Sequence, residues 1–588
     1  MKTALFLIAV SGLAICCAPA SQPASTPAAA PPAAPATASS GEPFSKFVDD
    51  YFDARFAYLP SQGTEDGFHQ YDSKLEDRSR ARIEARIAEL KGFLARLQAM
   101  DRSRLSFDDQ IDADAIEGQI RGQLLDQETL RNWERNPMGY AGLPGSAADG
   151  LIKRDFAPAA DRLRSLTARL RLVPAVYAAG KANLVNPPRE FTDLALRISK
   201  GSVGYFAGTM AAWAKDAAGS DAALAKQFAD ANGAVVAATR DFATWLEKDL
   251  LPRSKGSYAI GAANFLAKMK YDERVEMPLA ELLAKGEAQL AKDYAALVET
   301  AKRIDPSKTP AQVMTSLSDD HPTPESLIST VDRSVEEARR FLVQKDLVTI
   351  PSEVRPRVQE TPPFARSGSF ASMDTPGAFE MKATEAFYYV TPVETEWDAK
   401  HKEEHLRLYN PYVVSIIDVH EVWPGHYLQF LYAPRFPTKT RKLVFSGTNA
   451  EGWAHYSEQM MVDEGFGGGD PKYRLAQLQE ALLRDCRYVV GIKLHTQGMT
   501  VEEGAKVFVE KGFQEPANGY EEARRGAFNP TYLYYTLGKL QIQELSNEYR
   551  AKKGATLKQF HDAFVAQGGL PIELVRRILF RPSTSAVR

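Results

Sequence analysis

Between residues 277 and 301 the apolar side chains Leu279, Leu282, Leu283, Leu290, Tyr294, Leu297 and Val298 recur at steps of three and four, the spacing that gives a helix one apolar face. Residues 82–100, 161–173, 229–251, 325–343 and 473–495 repeat the pattern, with Pro- or Gly-bearing breaks between them. A chain built this way has to bury helix against helix, so a mainly α fold is expected. One segment departs: residues 386–391 are aromatic and β-branched, end at Pro392, and read as a strand. Cysteine cannot staple such a fold, because two of the three, Cys16 and Cys17, precede the body and Cys486 is left without a partner.

The body is expected to begin near Glu42. Lys2 followed by the apolar run 4–17 and the small residues Ala18-Pro19-Ala20 reads as an export signal over residues 1–20, too short to span a membrane. Two processing routes remain open: cleavage as a secreted protein, or lipid anchoring at Cys16 or Cys17. The Pro/Ala/Ser/Thr-rich stretch 21–41 is a tether that need not fold. The expected location is therefore outside the cytoplasm, periplasmic or held to a membrane facing the periplasm, with no transmembrane span. Residues 42–588 then form the helical domain, and the Pro-, Ser- and Gly-rich stretch 351–376 marks a boundary between lobes 42–350 and 351–588. Lysine plus arginine number 72 against 75 acidic residues, so no basic footprint for nucleic acid exists. Oligomeric state cannot be read from this pattern.

Five of the nine histidines, His401, His405, His420, His426 and His455, fall within 401–455. In the familiar zinc-peptidase helix two histidines four apart share a face and the glutamate after the first is the base. In His420-Glu421-Val422-Trp423-Pro424-Gly425-His426 the spacing is six. On a regular helix six residues turn the second ring about 120° away and about 9 Å along the axis. Pro424 and Gly425 can interrupt that helix and return His426 to the metal. Downstream, Glu451, His455 and Glu458 fall on one face of a second helix. The neighbouring Trp453, Ala454, Met460 and Met461 imply that this helix is largely buried, where unpaired carboxylates are unfavourable. Two histidines and Glu451 would make a zinc site with room for water.

These segments, with the late Tyr535-Thr536-Leu537-Gly538, resemble the bacterial family catalogued as domain of unknown function 885, over nearly the whole body. Its arrangement is similar to the helical gluzincins. The resemblance implies a large helical metallopeptidase-like fold with a central cleft, a small β element near the zinc site, Zn2+ on His420, His426 and Glu451, and Glu421 as general base. The implied activity is hydrolysis of peptide bonds by a metal-activated water, with a peptide as partner. It also implies Tyr535 as a donor to the developing oxyanion, because Tyr535 stands three residues before Gly538, with His495 as the other candidate donor. Gly491 departs from the pattern, which has an aspartate there.

Asp418 and Glu458 are candidates to hold ligand imidazoles through their second nitrogen, with ordinary exposed acids as the equal alternative for both, and Arg524 and Arg525 could take a peptide carboxylate, with surface exposure the simpler reading for at least one of them. A serine hydrolase is disfavoured by the lack of a G-x-S-x-G elbow. Two other classes stay open: a non-peptide amidohydrolase using the same zinc site, and a catalytically silent binding protein, the latter favoured if a fourth ligand such as His455 closed the site.

Overall fold

The periodic segments are helices in the computed structural model, which describes residues 42–362, 366 and 370–581. The export segment 1–20, the tether 21–41 and both Cys16 and Cys17 lie outside the described residues. The chain is mainly α, about 70% helical. Residues 82–98 of the segment 82–100 fall in the helix Arg80–Gln98, started by the Ser79 hydroxyl, which accepts from the Arg82 N–H. Residues 161–173 divide between Ala159–Leu170 and Val173–Asn183, and 229–251 lie in Ala222–Trp245 and its continuation to Leu250.

The elements around the site follow in order. Helix α1 is Leu279–Ile304 and α2 is Leu327–Lys345. Strands β1 (Arg357–Glu360), β2 (Ala371–Asp374) and β3 (Phe387–Val390) form one small sheet in the order β1-β3-β2. The β1–β3 pair is parallel and the β2–β3 pair antiparallel, with Met373 opposite Tyr388. Helices α3 (Pro411–Glu421), α4 (His426–Leu431), α5 (Gly447–Asp463), α6 (Pro471–Thr496), α7 (Pro516–Phe528) and α8 (Tyr534–Lys553) complete the set.

The buried stripe of α1 is rotated from the apolar one. Its most buried line runs Leu282, Gly286, Gln289, Asp293, Leu297 and Thr300, while Leu283, Leu290, Tyr294 and Val298 are half-buried beside it. The cause is polar pairing: Asp293 is buried against Lys539, 3.5 Å away and itself fully buried, an arrangement that a count of apolar residues cannot see.

The described residues fall within one compact unit. One core joins Phe47, Tyr51 and Ile116 to Trp423, Trp453, Phe564 and Leu574, so it draws on both sides of the 351–376 stretch. A second core is built almost wholly from residues 140–250. No helix among the described residues is long and apolar enough to cross a membrane. Cys486 is free and buried.

Candidate metal centre

Helix α3 starts on Asn410, whose side chain accepts from the Val413 N–H, and on Pro411 at its first position. It stops at Glu421. The Val422 and Trp423 N–H groups both turn back to the Asp418 carbonyl (2.8 and 3.1 Å), the Trp423–Pro424 peptide is cis, and the Gly425 N–H reaches the Val419 carbonyl (3.0 Å). Gly425 is required here, because a Cβ would overlap the His420 carbonyl. Helix α4 then opens at His426. The His420 and His426 rings lie 4.9 Å apart at 88°. From α5, the Trp453 indole N–H donates to the Pro424 carbonyl at 2.7 Å and pins the break from above.

Helix α5 delivers Glu451 between the two rings. Glu451 Oε2 is 3.3 Å from Nε2 of His420 and 3.3 Å from Nε2 of His426, and one ligand atom from each of the three residues lies within 4.8 Å of the others. That Oε2 is buried yet makes no hydrogen bond among the described residues. Zinc bound at about 2.1 Å by nitrogen and oxygen sets neighbouring donors about 3.4 Å apart in a tetrahedron. The spacing and the two-nitrogen, one-carboxylate donor set therefore fit zinc, which would satisfy the orphaned oxygen.

Behind the ligands, Glu458 is fully buried and shared three ways. Its Oε1 accepts from His420 Nδ1 at 2.7 Å and lies 3.3 Å from Arg484, and its Oε2 accepts from His455 Nδ1 at 3.0 Å. The Nδ1 proton of His420 is thereby fixed, which leaves Nε2 facing Glu451. Burial alone would raise the Glu458 carboxyl, but Arg484, His455 and His420 outweigh it and hold it well below the usual range. Glu451 is likewise held low against burial by His426 and His420. His420 resists the downward pull of burial because Glu451 and Glu458 flank it, and its pKa stands at about 9. A cation held at Nε2 would take the place of that proton. Burial pushes the Glu421 carboxyl up, and its Oε2 accepts the Met373 N–H of β2 at 3.0 Å.

The two acids separate, and neither is exposed. Glu458 holds the His420 imidazole; Asp418 holds none, since its Oδ1 accepts from the Tyr388 hydroxyl at 2.8 Å and burial lifts its pKa to about 8. His426 Nδ1 is buried without a hydrogen bond among the described residues. His455 stands outside the ligand group. Its Nδ1 is committed to Glu458, and burial carries its pKa to about 3, so it is neutral.

Helix α8 crosses α5 where Gly452 and Gly538 meet backbone to backbone, leaving no room for a Cβ on either. This crossing brings Tyr535 over the site: its ring lies 6.3 Å from that of His420. Tyr535 is 4% exposed, and burial followed by the Glu451 carboxylate keeps the phenol protonated. Its neighbours are engaged elsewhere. Tyr532 donates to Glu522, and Tyr534 accepts from Asn529 Nδ2 at 2.8 Å. His495 has a different setting from the one expected of a donor to the reaction: its Nε2–H donates to the Gly526 carbonyl at 2.9 Å, and burial brings its pKa to about 4. At Gly491 a Cβ would come within 3.0 Å of Tyr532 Cβ, so the packing of Tyr532 leaves little space for the expected aspartate. Arg524 pairs with Glu521 at 3.1 Å, whereas Arg525 leans on the Tyr532 ring. A cavity of about 480 Å³ borders α4 at Gln429 and Phe430, and the Phe430 ring sits 6.2 Å from His426.

Arg484, the cation that anchors Glu458, carried no signal in its local sequence. The i, i+3 pairing of His455 with Glu458 was visible as a shared face, but not as an orienting contact.

Residues 60–579 match the family described as "Bacterial protein of unknown function (DUF885)", and the chain belongs to it. It is similar to a solved structure described as "a putative lipoprotein of unknown function" from Shewanella oneidensis, at 26% identity and a TM-score of 0.76, covering 92% of this chain and 100% of that one. It is also similar to "the putative lipoprotein from Colwellia psychrerythraea", at 17% identity and a TM-score of 0.76, over 91% and 98% of the two chains. No curated protein matches it.

Proposed function

We propose that this member of the family is a zinc-dependent peptidase whose metal is held by His420, His426 and Glu451 and whose general base is Glu421. The observation that carries the reading is the buried Glu451 oxygen, without a hydrogen bond among the described residues, set equally between two imidazole nitrogens in a group of three donors among those residues. Three protein ligands are the mark of a catalytic rather than a structural zinc site.

Zinc, when bound, would supply Lewis acidity, lowering the pKa of water and polarising a carbonyl. The remaining work falls to side chains. Glu458 keeps the Nδ1 proton on His420 and so directs the Nε2 lone pair. The Met373 N–H holds one oxygen of Glu421, leaving Oε1 to take a proton from the attacking water and pass it to the leaving amine. Tyr535, neutral and beside His420, would donate its O–H to the oxygen of the attacked carbonyl. By likeness to relatives described as lipoproteins, the N-terminal segment would export the enzyme and anchor it at Cys16 or Cys17.

The test is hydrolysis of a panel of short peptides by zinc-loaded wild type and by Glu421→Gln. The reading expects cleavage by the first and retention of zinc with loss of nearly all cleavage by the second. A wild type that splits non-peptide amides but no peptide would move the enzyme to another substrate class. A zinc-loaded wild type inert to both would leave a binding protein.

A further inference from the structure

Around the site every arginine but one makes a close ion pair. Arg487 grips Glu522 through Nε (2.7 Å) and Nη2 (2.8 Å), Arg484 is held between Glu458 and Glu480, and Arg524 pairs with Glu521. Arg525, in the last turn of α7 and half-buried, makes no close ion pair and no hydrogen bond among the described residues, and feels the Glu522 carboxylate only at longer range. Its guanidinium carbon stands 5.8 Å from the Tyr532 ring.

That position is connected to the metal ligands by stacked groups. Arg487 lies 5.3 Å from the Tyr532 ring and 5.1 Å from the Tyr535 ring, and Tyr535 lies against His420. Both Glu522 oxygens are engaged, by Arg487 and by the Tyr532 hydroxyl, so Glu522 attracts Arg525 without bonding it. A half-buried guanidinium whose N–H groups bond no acceptor is unfavourable, and it presents the paired N–H geometry that a carboxylate accepts.

We propose that Arg525 is the carboxylate anchor of the site: it binds the free C-terminal carboxylate of a peptide whose scissile bond lies at His420, His426 and Glu451. The substrate class is then peptides with an unblocked C-terminus. The inference rests on the peptidase reading for its orientation, but its test does not need turnover.

The probes are N-acetyl-trialanine and its C-terminal amide, titrated calorimetrically into the zinc-loaded full chain carrying Glu421→Gln. The acid is expected to bind about tenfold to a hundredfold more tightly than the amide, the range of a charge-assisted hydrogen-bonded pair. Adding Arg525→Gln brings that ratio close to one, while Arg525→Lys, which keeps the charge but not the fork, retains part of it. An acid-to-amide ratio near one in the parent protein overturns the proposal. So does a ratio that survives Arg525→Gln, which would assign the carboxylate to the metal or to Arg487. The two readings fail separately. Discrimination in binding with no cleavage of any peptide by wild type would sink the peptidase and leave the anchor. Cleavage of acid and amide with equal efficiency, and no discrimination in binding, would sink the anchor and leave the peptidase.

Discussion

Replacing Glu458 by glutamine tests whether the site is organised from behind. The carboxylate is fully buried and receives His420 Nδ1 on one oxygen and His455 Nδ1 on the other, with Arg484 sharing the first. Glutamine keeps the shape but has one acceptor oxygen. If that oxygen stays with His420 and Arg484, the amide NH2 faces the His455 Nδ1–H, and two donors meet between fully buried side chains. Relief requires His455 to move its proton to Nε2, which is buried and without a partner. If the amide turns over instead, His420 loses its acceptor and Nε2 its orientation. Either way the charge that makes His420 a stronger ligand is gone. Loss of such an outer contact lowers metal affinity about tenfold to a hundredfold. Stability falls as well, toward the lower end of the about 3–5 kcal/mol for breaking a buried ion pair, because Glu480 remains with Arg484. The assay is zinc titration against a chelator of known affinity, with circular dichroism to show that the variant is folded. Asp418→Asn is the internal comparison, since Asp418 bonds Tyr388 rather than an imidazole, and its zinc affinity should stay within about threefold of wild type. A folded Glu458→Gln protein with wild-type zinc affinity would refute the orienting role.

Other outcomes follow from the same geometry. Tyr535→Phe should lower kcat about a hundredfold on a cleaved peptide while zinc content and melting temperature hold, the size of losing one oxyanion donor; unchanged kcat would remove Tyr535 from the reaction. Gly425→Ala forces a Cβ into the His420 carbonyl and should cost about 1–3 kcal/mol of stability together with zinc affinity; a denaturant melt superimposable on wild type would contradict the close approach. His561 is fully buried and neutral, donating from Nδ1 to the Leu347 carbonyl and accepting the Tyr456 hydroxyl on Nε2, and burial lowers its pKa from 6.5 to about 4. The unfolded chain binds this proton first, so the stability contribution is present above about pH 6.5 and is lost as pH falls toward 4, about 3 kcal/mol in all. Stability measured across that window should fall less steeply in His561→Gln than in wild type, and equal slopes would contradict it.

Much of the architecture was legible because helices advertise their packing in the spacing of apolar residues. The stretches 82–100, 325–343 and 473–495 lie within a few residues of their helices, and 386–391 contains β3. The limits lie where polar groups are buried in pairs. The rotated stripe of α1 depends on Asp293 meeting Lys539, 246 positions away. At the site, the interruption between His420 and His426 could be argued from Pro424 and Gly425 alone, since both residues speak to backbone geometry. Choosing between Asp418 and Glu458 could not, because each is an acid two or three residues from a histidine and only the partner decides: Tyr388 for one, His420, His455 and Arg484 for the other. The same holds for Arg524 and Arg525, adjacent in sequence and separated only by which of them finds Glu521.

The account turns on whether His420, His426 and Glu451 hold zinc. Elemental analysis of the metal-replete, purified chain beside its Glu451→Ala variant, both folded by circular dichroism, tests this most directly. About one zinc per chain in the wild type and little or none in the variant is the predicted result; a wild type without transition metal, or zinc that persists undiminished when Glu451 is removed, would contradict it.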